Sequence, residues 1–136
     1  MSTISVLVAT AEREVYRGEA DFLTAPGAAG ELGIMPKHTP LLSALNAGEL
    51  YIRQGEETDE VFISGGFMEV QPDCITILAD TAERASDVDE AAALEAERKA
   101  QEVIDSNDGG FDYARAASEL SIASARLAFI RKRKKH

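Results

Sequence analysis

The sequence changes its periodicity once, between Ala79 and Asp87, and this change limits the folds available to the chain. Up to about Asp80, short apolar runs, several of them alternating, are separated by Gly, Pro and Asp, as in an antiparallel sandwich or flattened barrel of eight or more strands. Over residues 87–106, strong helix formers take over. The sequence therefore predicts a sheet domain followed by helices.

Two helices are predicted after that change, and their ends carry recognisable signals. Ser86 with Asp89 fits a capping box at the start of the first helix. The run Asn107–Gly110 ends that helix, and Asp112 can cap a second helix that continues to about Arg133. Both helices carry alanine-lined faces, so we expect a close antiparallel hairpin.

We place the domain boundary between a sheet domain, residues 1–84, and a helical hairpin, residues 85–136. The predicted face of the second helix includes Tyr113, Ala117 and Leu127. Alanine faces bury little apolar area, at about 25 cal/mol per Å², so they hold the two helices together weakly. We therefore expect the hairpin to open without unfolding the sheet.

The stretch Pro26–Leu42 carries three glycines and three of the four prolines. Glycine permits positive φ, and proline fixes φ and removes a donor, so we predict a shaped loop rather than a helix or central strand. Leu32, Ile34 and Met35 lie among these residues, and a solvated linker would not need them. A fixed loop with apolar residues predicts a contact surface.

The formal charge of −10 is unevenly distributed along the chain. Residues 111–136 carry seven Lys or Arg and two carboxylates, a net of +5, so the other 110 residues carry −15. The basic cluster Arg131–Lys135 can be a solvated end, a nucleic-acid patch or a contact to an acidic protein. Its lack of interleaved aromatic residues argues against single-strand stacking, and the acidic remainder argues against extended nucleic-acid contact.

No motif for catalysis, cofactor binding or metal binding occurs in the sequence. The two histidines, His38 and His136, have one distant cysteine, so a His/Cys metal site is not expected. Cys74 lies in an apolar run and is interpreted as a buried thiol. His38 is interpreted first as a strut that fixes its loop, and Glu31 either as a solubilising turn residue or as a contact to a basic partner. We predict no enzyme activity.

The sequence lacks an apolar run of about 18 residues and an N-terminal secretory signal. We therefore expect a soluble protein that stays in the compartment where it is made.

Several stretches, in order along the whole chain, resemble the epsilon subunit of the bacterial F-type ATP synthase. They are Gly30–Leu42, Ile63–Val70, Leu78–Ala82, Asp89–Ala91 and Glu97–Ala100. The resemblance implies a flattened β-sandwich of ten strands followed by a two-helix hairpin. It also implies a non-catalytic rotor subunit of the central stalk, peripheral to the cytoplasmic face of the bacterial inner membrane.

The same resemblance implies partners and contact residues. The sheet domain would bind the gamma subunit and rest on the c-ring, and the hairpin would fold against the sheet or extend along gamma toward the alpha/beta catalytic head, where it blocks ATP hydrolysis. The residues implied for the c-ring and gamma contact are Glu31, Leu32, Gly33, Ile34, Met35 and His38. Those implied for the inhibitory contact to an acidic beta segment are Arg115, Arg126, Arg131, Lys132, Arg133, Lys134 and Lys135.

Some members of that family bind ATP at the hairpin, through a motif in which an aspartate is followed by Arg-Ala three residues on. Here Asp89 and Arg126 match the pattern, whereas Ala92 and Ile122 stand where those relatives have arginines. An arginine makes a bidentate phosphate contact that neither residue can replace. We therefore predict weak or no ATP binding by the isolated protein and no cofactor.

A second hypothesis from a different class is a nucleotide-sensing or adaptor module unrelated to a rotary motor. Recovery of the protein from cells without gamma would favour it.

Overall fold

The computed structural model describes residues 2–106 and 110–134, without the side chains of residues 110–112, 133 and 134. The chain divides into two compact units, Met1–Ser86 and Asp87–His136. Ten strands occupy the first unit and two helices the second. The predicted fold class, a β-sandwich followed by a helical pair, is confirmed.

The strands pair in the order β10-β7-β6-β3-β5-β8-β9-β1-β2, and β4 pairs with β3 outside this path. All pairs are antiparallel except β1 with β9, which is parallel. The strands are β1 (Ile4–Ala9), β2 (Glu14–Ala20), β3 (Phe22–Gly27), β4 (Gly30–Ile34), β5 (Leu41–Leu45), β6 (Gly48–Gln54), β7 (Glu57–Ile63), β8 (Gly66–Val70), β9 (Cys74–Ala79) and β10 (Ala82–Arg84).

Alternation along the strands builds the core of the sheet unit. In β1, Ile4, Val6 and Val8 are buried, because successive side chains of a strand point to opposite faces. The same alternation in β9 buries Ile75 and Ile77. Among the described residues no polar or charged residue is buried, so the core rests on apolar packing alone.

Gly66 allows the chain to enter β8 directly beside β9. Its φ of 144° is one that residues with a side chain rarely adopt, and a Cβ there would lie 2.2 Å from the carbonyl oxygen of Leu78. Only glycine therefore permits this backbone approach.

The prediction of a loop over Pro26–Leu42 is wrong in part. Strand β3 continues to Gly27, and Gly30–Ile34 forms β4, so the segment contains a hairpin that turns at Ala28 and Ala29. The glycines of β4 are tolerated because β4 pairs only with β3 and forms an edge of the sheet, and Pro26 lies beyond Phe22–Thr24, the part of β3 that pairs with β6. Strand β2 runs through Gly18 without a break.

The helices begin at other residues than predicted. Helix α1 spans Glu90–Asp105, and its N-cap is Asp89, whose carboxylate accepts the Ala92 amide at 3.2 Å. Ser86, the predicted cap, lies in a single 3₁₀ turn, Ala85–Asp87. Asp89 is the better cap because its backbone is extended and its carboxylate also suits the positive end of the helix dipole.

Helix α2 spans Gly110–Lys134, so Asp112, the predicted cap, lies inside it. Of the predicted helix stop at residues 107–110, residues 107–109 lie outside the described residues and Gly110 is the first residue of α2.

The two helices pack through small residues, as the sequence predicts. Ala93 and Ala100 of α1 and Ala116 and Ala123 of α2 are buried, with at most 3% of each exposed. Two residues predicted on this face of α2, Tyr113 and Ala117, are exposed instead. Within the described part of the chain, neither helix is long and apolar enough to cross a membrane.

Candidate functional site

The hairpin of β3 and β4 presents alternate residues to its two sides. Glu31, Gly33 and Met35 are exposed, and Leu32 is half-buried and packs against the core. Ile34 is buried, with 1% exposed. The inclusion of Ile34 among the contact residues is therefore wrong: alternation turns its side chain into the core.

The chain that follows β4 is held in a fixed path. Lys37 has φ 66°, a left-handed conformation that is uncommon outside glycine, and its amide donates to the Pro72 carbonyl at 2.8 Å. Nδ1 of His38 lies 2.6 Å from the carbonyl oxygen of Thr39, and it donates because a carbonyl can only accept. His38 thus makes the strut-like contact that was its first interpretation.

A second exposed surface lies on the outward face of β5, β8 and β9. We call Leu42, Ala44, Phe67 and Leu78 the outer apolar patch. Leu42 is 71% exposed, and Phe67 and Leu78 are each 59% exposed. Phe67 is paired with Ala44 on one side and with Leu78 on the other, so the three side chains form one row across the sheet. Contiguous exposed apolar residues of this kind mark interaction sites.

Sequence reasoning missed this patch, although a signal for it exists. In β8 the inward residues Met68 and Val70 are apolar, as alternation requires, but the outward Phe67 is apolar too. The same holds for Leu78 in β9, beside the inward Ile77. Apolar residues at both odd and even positions of a strand indicate that both of its faces are covered, the outer one by another element or a partner.

The basic residues of α2 are found in different settings. Arg115 is exposed and paired with Glu119 of the same helix at 3.1 Å, whereas Arg126 is half-buried. Arg131 and Lys132 are exposed near the helix end. The backbone of Arg133 and Lys134 continues the helix, and Lys135 lies outside the described residues.

A cavity of about 420 Å³ between the two helices contains the positions that bear on ATP binding. Ala92 and Ile122 line it, together with two cationic and two carboxylate side chains. These four are Lys99, Arg126, Glu95 and Glu119. Because the four charges balance, the cavity offers no net positive charge to a polyphosphate.

Two further contacts reduce what this cavity can offer a nucleotide. Glu95 accepts from Arg98 at 2.6 Å, which is the main reason that its pKa lies below the ordinary value, so this carboxylate stays negative. Asp89, the other residue matched to the ATP motif, uses its carboxylate to cap α1. Both features favour weak nucleotide binding.

Among the described residues no group of three His, Cys, Asp or Glu is placed to hold a metal ion. What the structure presents is an apolar face on a rigid sheet unit and a separate pair of charged helices. These features define a protein that works through its contacts with other macromolecules.

Two family models together match residues 3–131 of the chain. The ATP synthase Delta/Epsilon chain beta-sandwich domain matches residues 3–85, and the Delta/Epsilon chain long alpha-helix domain matches residues 86–131. The chain therefore belongs to the ATP synthase delta/epsilon family, and among its members it is similar to epsilon chains.

Curated relatives are similar in sequence to this chain over nearly its full length. The ATP synthase epsilon chain of Nitrosomonas eutropha is 47% identical, over 99% of this chain and 98% of its own. That of Nitrosococcus oceani is 47% identical, over 98% and 96%. That of Acidithiobacillus ferridurans is 48% identical, over 96% and 92%.

Two solved structures share the fold. A chain in the Euglena gracilis mitochondrial ATP synthase, in a structure of OSCP, F1 and the c-ring, superposes with a TM-score of 0.82 at 21% identity, over 93% of this chain and 80% of its own. A chain in the central stalk and c-ring structure of the Tetrahymena thermophila mitochondrial ATP synthase gives 0.59 at 20% identity, over 96% of each.

These findings confirm the resemblance drawn from the sequence. The chain is a non-catalytic subunit of ATP synthase, as predicted. They also argue against the alternative of an adaptor module unrelated to the motor.

Proposed function

We propose that this chain is a rotor subunit of the central stalk, which couples rotation of the c-ring to ATP synthesis and restrains ATP hydrolysis. The observation that carries the proposal is the outer apolar patch. A stalk subunit that transmits torque needs a permanent, rigid contact, and permanent interfaces are apolar and well packed. The patch lies on paired strands and is therefore held rigidly.

The gamma subunit is the partner assigned to the outer apolar patch. The β3–β4 hairpin and the chain after it, with Glu31, Met35 and His38 accessible, are assigned to the c-ring. The tie from Lys37 to Pro72 and the bond from His38 to Thr39 support this assignment, because they pre-organise the chain and so lower the entropic cost of binding. These contacts would place the protein at the cytoplasmic face of the bacterial inner membrane, peripheral to the bilayer.

The helical unit is assigned to regulation. Its buried residues include four alanines, each of which covers little apolar area, together with Leu127, Phe129 and Ile130, so an opened hairpin must be stabilised by a contact elsewhere. Arg131 and Lys132 are exposed and suited to an acidic segment of a beta subunit in the catalytic head. Inhibition then follows from a two-state hairpin whose opened form is stabilised by that contact.

A photo-crosslinking experiment tests the assignment of the sheet unit. A benzophenone amino acid replaces Phe67 in the chain assembled into the complete ATP synthase, and a matched variant carries it at Thr58, an exposed position on β7. The expected product at position 67 is a crosslink to gamma, and position 58 should give less of it. Equal gamma crosslinking from both positions, or none from position 67, would contradict the proposal.

A further inference from the structure

The last strand of the sheet unit, β10, is short and lies at the end of the strand order. It contains three residues, Ala82–Arg84, which pair with Ile63, Phe62 and Val61 of β7. A strand this short at a sheet edge makes few ladder hydrogen bonds and is easily peeled away. It is also the element from which the chain leaves for the 3₁₀ turn and α1.

Arg84, the final residue of β10, makes two contacts beyond its own backbone pairing. Its Nη2 donates to Oδ1 of Asp59 in β7 at 2.9 Å, and its guanidinium carbon lies 5.6 Å from the centre of the Tyr16 ring in β2. Strands β10 and β2 are the two ends of the strand order. A single side chain therefore joins both ends of the sheet.

Gly18 in β2 makes room for this arrangement. Tyr16 and Gly18 lie on the same face of the strand, because they are two residues apart. A Cβ at position 18 would lie 2.8 Å from the Tyr16 hydroxyl oxygen and 3.1 Å from Cζ. The ring can occupy its position beside Arg84 because Gly18 has no side chain.

Packing against the sheet core also fixes the Tyr16 ring. Tyr16 is half-buried and packs against the sheet core, and this burial is the main cause that raises the pKa of its hydroxyl above 10.0. The phenol therefore stays neutral at physiological pH. A neutral, immobile aromatic face is a good platform for a guanidinium group.

We propose that Arg84 is a positioning residue that pins β10 to both sheet ends, so that movement of the hairpin stops at residues 85–89 and does not enter the sheet. This inference rests on the proposed function, in which the hairpin moves. It assigns to Arg84, Tyr16 and Gly18 the task of keeping the pivot in one place. Without the contacts of Arg84, movement of the helices would separate β10 from β7 before residues 85–89 are fully extended.

The chain offers a matched control for this pin. Arg53 in β6 makes the same two kinds of contact, an ion pair with Asp21 at 3.0 Å and a ring contact with Phe22 at 5.2 Å. Strand β6 is interior to the strand order and is not the exit to the helices. Arg53→Ala therefore removes equivalent chemistry without releasing β10.

Residue-resolved amide exchange by NMR on the full-length protein tests the pin. In the native chain we expect slow exchange at residues 82–84 and fast exchange from residue 85 to the first turn of α1. Arg84→Ala should speed exchange at residues 82–84 by roughly tenfold, since an ion pair and a cation–π contact are lost together. Arg53→Ala should leave these residues unchanged.

Two variants of the ring separate the pin from a general loss of stability. Tyr16→Phe keeps the aromatic face and should leave exchange in β10 unchanged. Gly18→Ala keeps Arg84 but displaces the ring, and should speed exchange by a few-fold. Unchanged exchange in Arg84→Ala, or an equal change in β10 with Arg53→Ala, would overturn the inference.

The exchange result does not depend on inhibition of ATP hydrolysis. If removing the hairpin leaves hydrolysis by the assembled enzyme unchanged, the proposed regulatory function fails, and exchange in β10 still decides the role of Arg84.

Discussion

Replacing Phe67 by Ser should weaken the association of the sheet unit with gamma, because Phe67 is the central residue of the outer apolar patch. A buried aromatic side chain covers about 150–250 Å², and Phe67 is 59% exposed, so a partner can cover roughly 120 Å² more of it. At about 25 cal/mol per Å², this area corresponds to roughly 3 kcal/mol. Binding costs consume part of that gain, so we expect affinity to fall about 10- to 100-fold.

The assay is a titration of epsilon-depleted F1 with the labelled chain, and the matched control is Leu94→Ser. Leu94 is also an exposed apolar residue, at 44%, but it lies on α1 outside the patch. Phe67→Ser should keep its free energy of unfolding within about 1 kcal/mol of the native protein, since surface strand substitutions have small effects. An affinity within threefold of the native value would refute the assignment of the patch to gamma.

Three further predictions concern the helices and the sheet. Neutralising Arg131 and Lys132 to Gln should weaken inhibition of hydrolysis, and more at low salt than at high salt because charge pairing is less screened there; unchanged inhibition in a hydrolysis assay would argue against the contact. The isolated protein should show no micromolar ATP binding by calorimetry, and Ala92→Arg with Ile122→Arg should strengthen binding at least about tenfold by adding two phosphate donors; micromolar binding by the native chain would contradict this. The Gly55 amide, at 2.6 Å, and then Arg53 hold the pKa of Asp21 below its usual 3.8. Because the pKa of Asp21 is lower in the folded chain, the stabilisation by ionised Asp21 is complete above pH 3.8 and is lost as pH falls through the folded pKa. Asp21→Asn should therefore lower the free energy of unfolding, measured in urea, more at pH 6 than at pH 3. The same difference between variant and native chain at both pH values would contradict this.

Much of the fold could be predicted because alternation and helix propensity act locally. The alternating Ile4, Val6 and Val8 predict a strand with one buried face, and all three are buried in the structure. The alanine faces of the helices were found in the same way. In each case the signal lies within a few residues of the position it describes.

The failures occurred where two local signals compete or where the deciding contact is distant. Proline and glycine in Pro26–Leu42 argued for a loop, but the glycines of β4 lie on an edge strand that tolerates them, and Pro26 lies outside the part of β3 that pairs with β6. Ser86 and Asp89 both qualify as caps, and the extended backbone at Asp89 decided between them. Neither outcome can be read from residue type alone.

The interaction surfaces were the least accessible to sequence reasoning. Phe67 and Leu78 are apolar residues of short strands, and only the register of β8 with β9 shows that they share the outer face. The contact of Arg84 with Tyr16 joins residues far apart in the chain and needed the whole sheet order to appear. The resemblance to epsilon chains predicted the partner subunits, but it did not predict the outer apolar patch or the contact of Arg84 with Tyr16.

The most direct test of the account is ATP hydrolysis by the assembled synthase with the chain cut after residue 87. The sheet unit carries the outer apolar patch and the β3–β4 hairpin, so the shortened chain should still assemble with gamma and the c-ring. Hydrolysis should then rise above that of the complex with the full-length chain, because the helical hairpin is absent. Normal assembly with unchanged hydrolysis would contradict the regulatory role of the hairpin, and failure to assemble would contradict the assignment of the stalk contacts to the sheet unit.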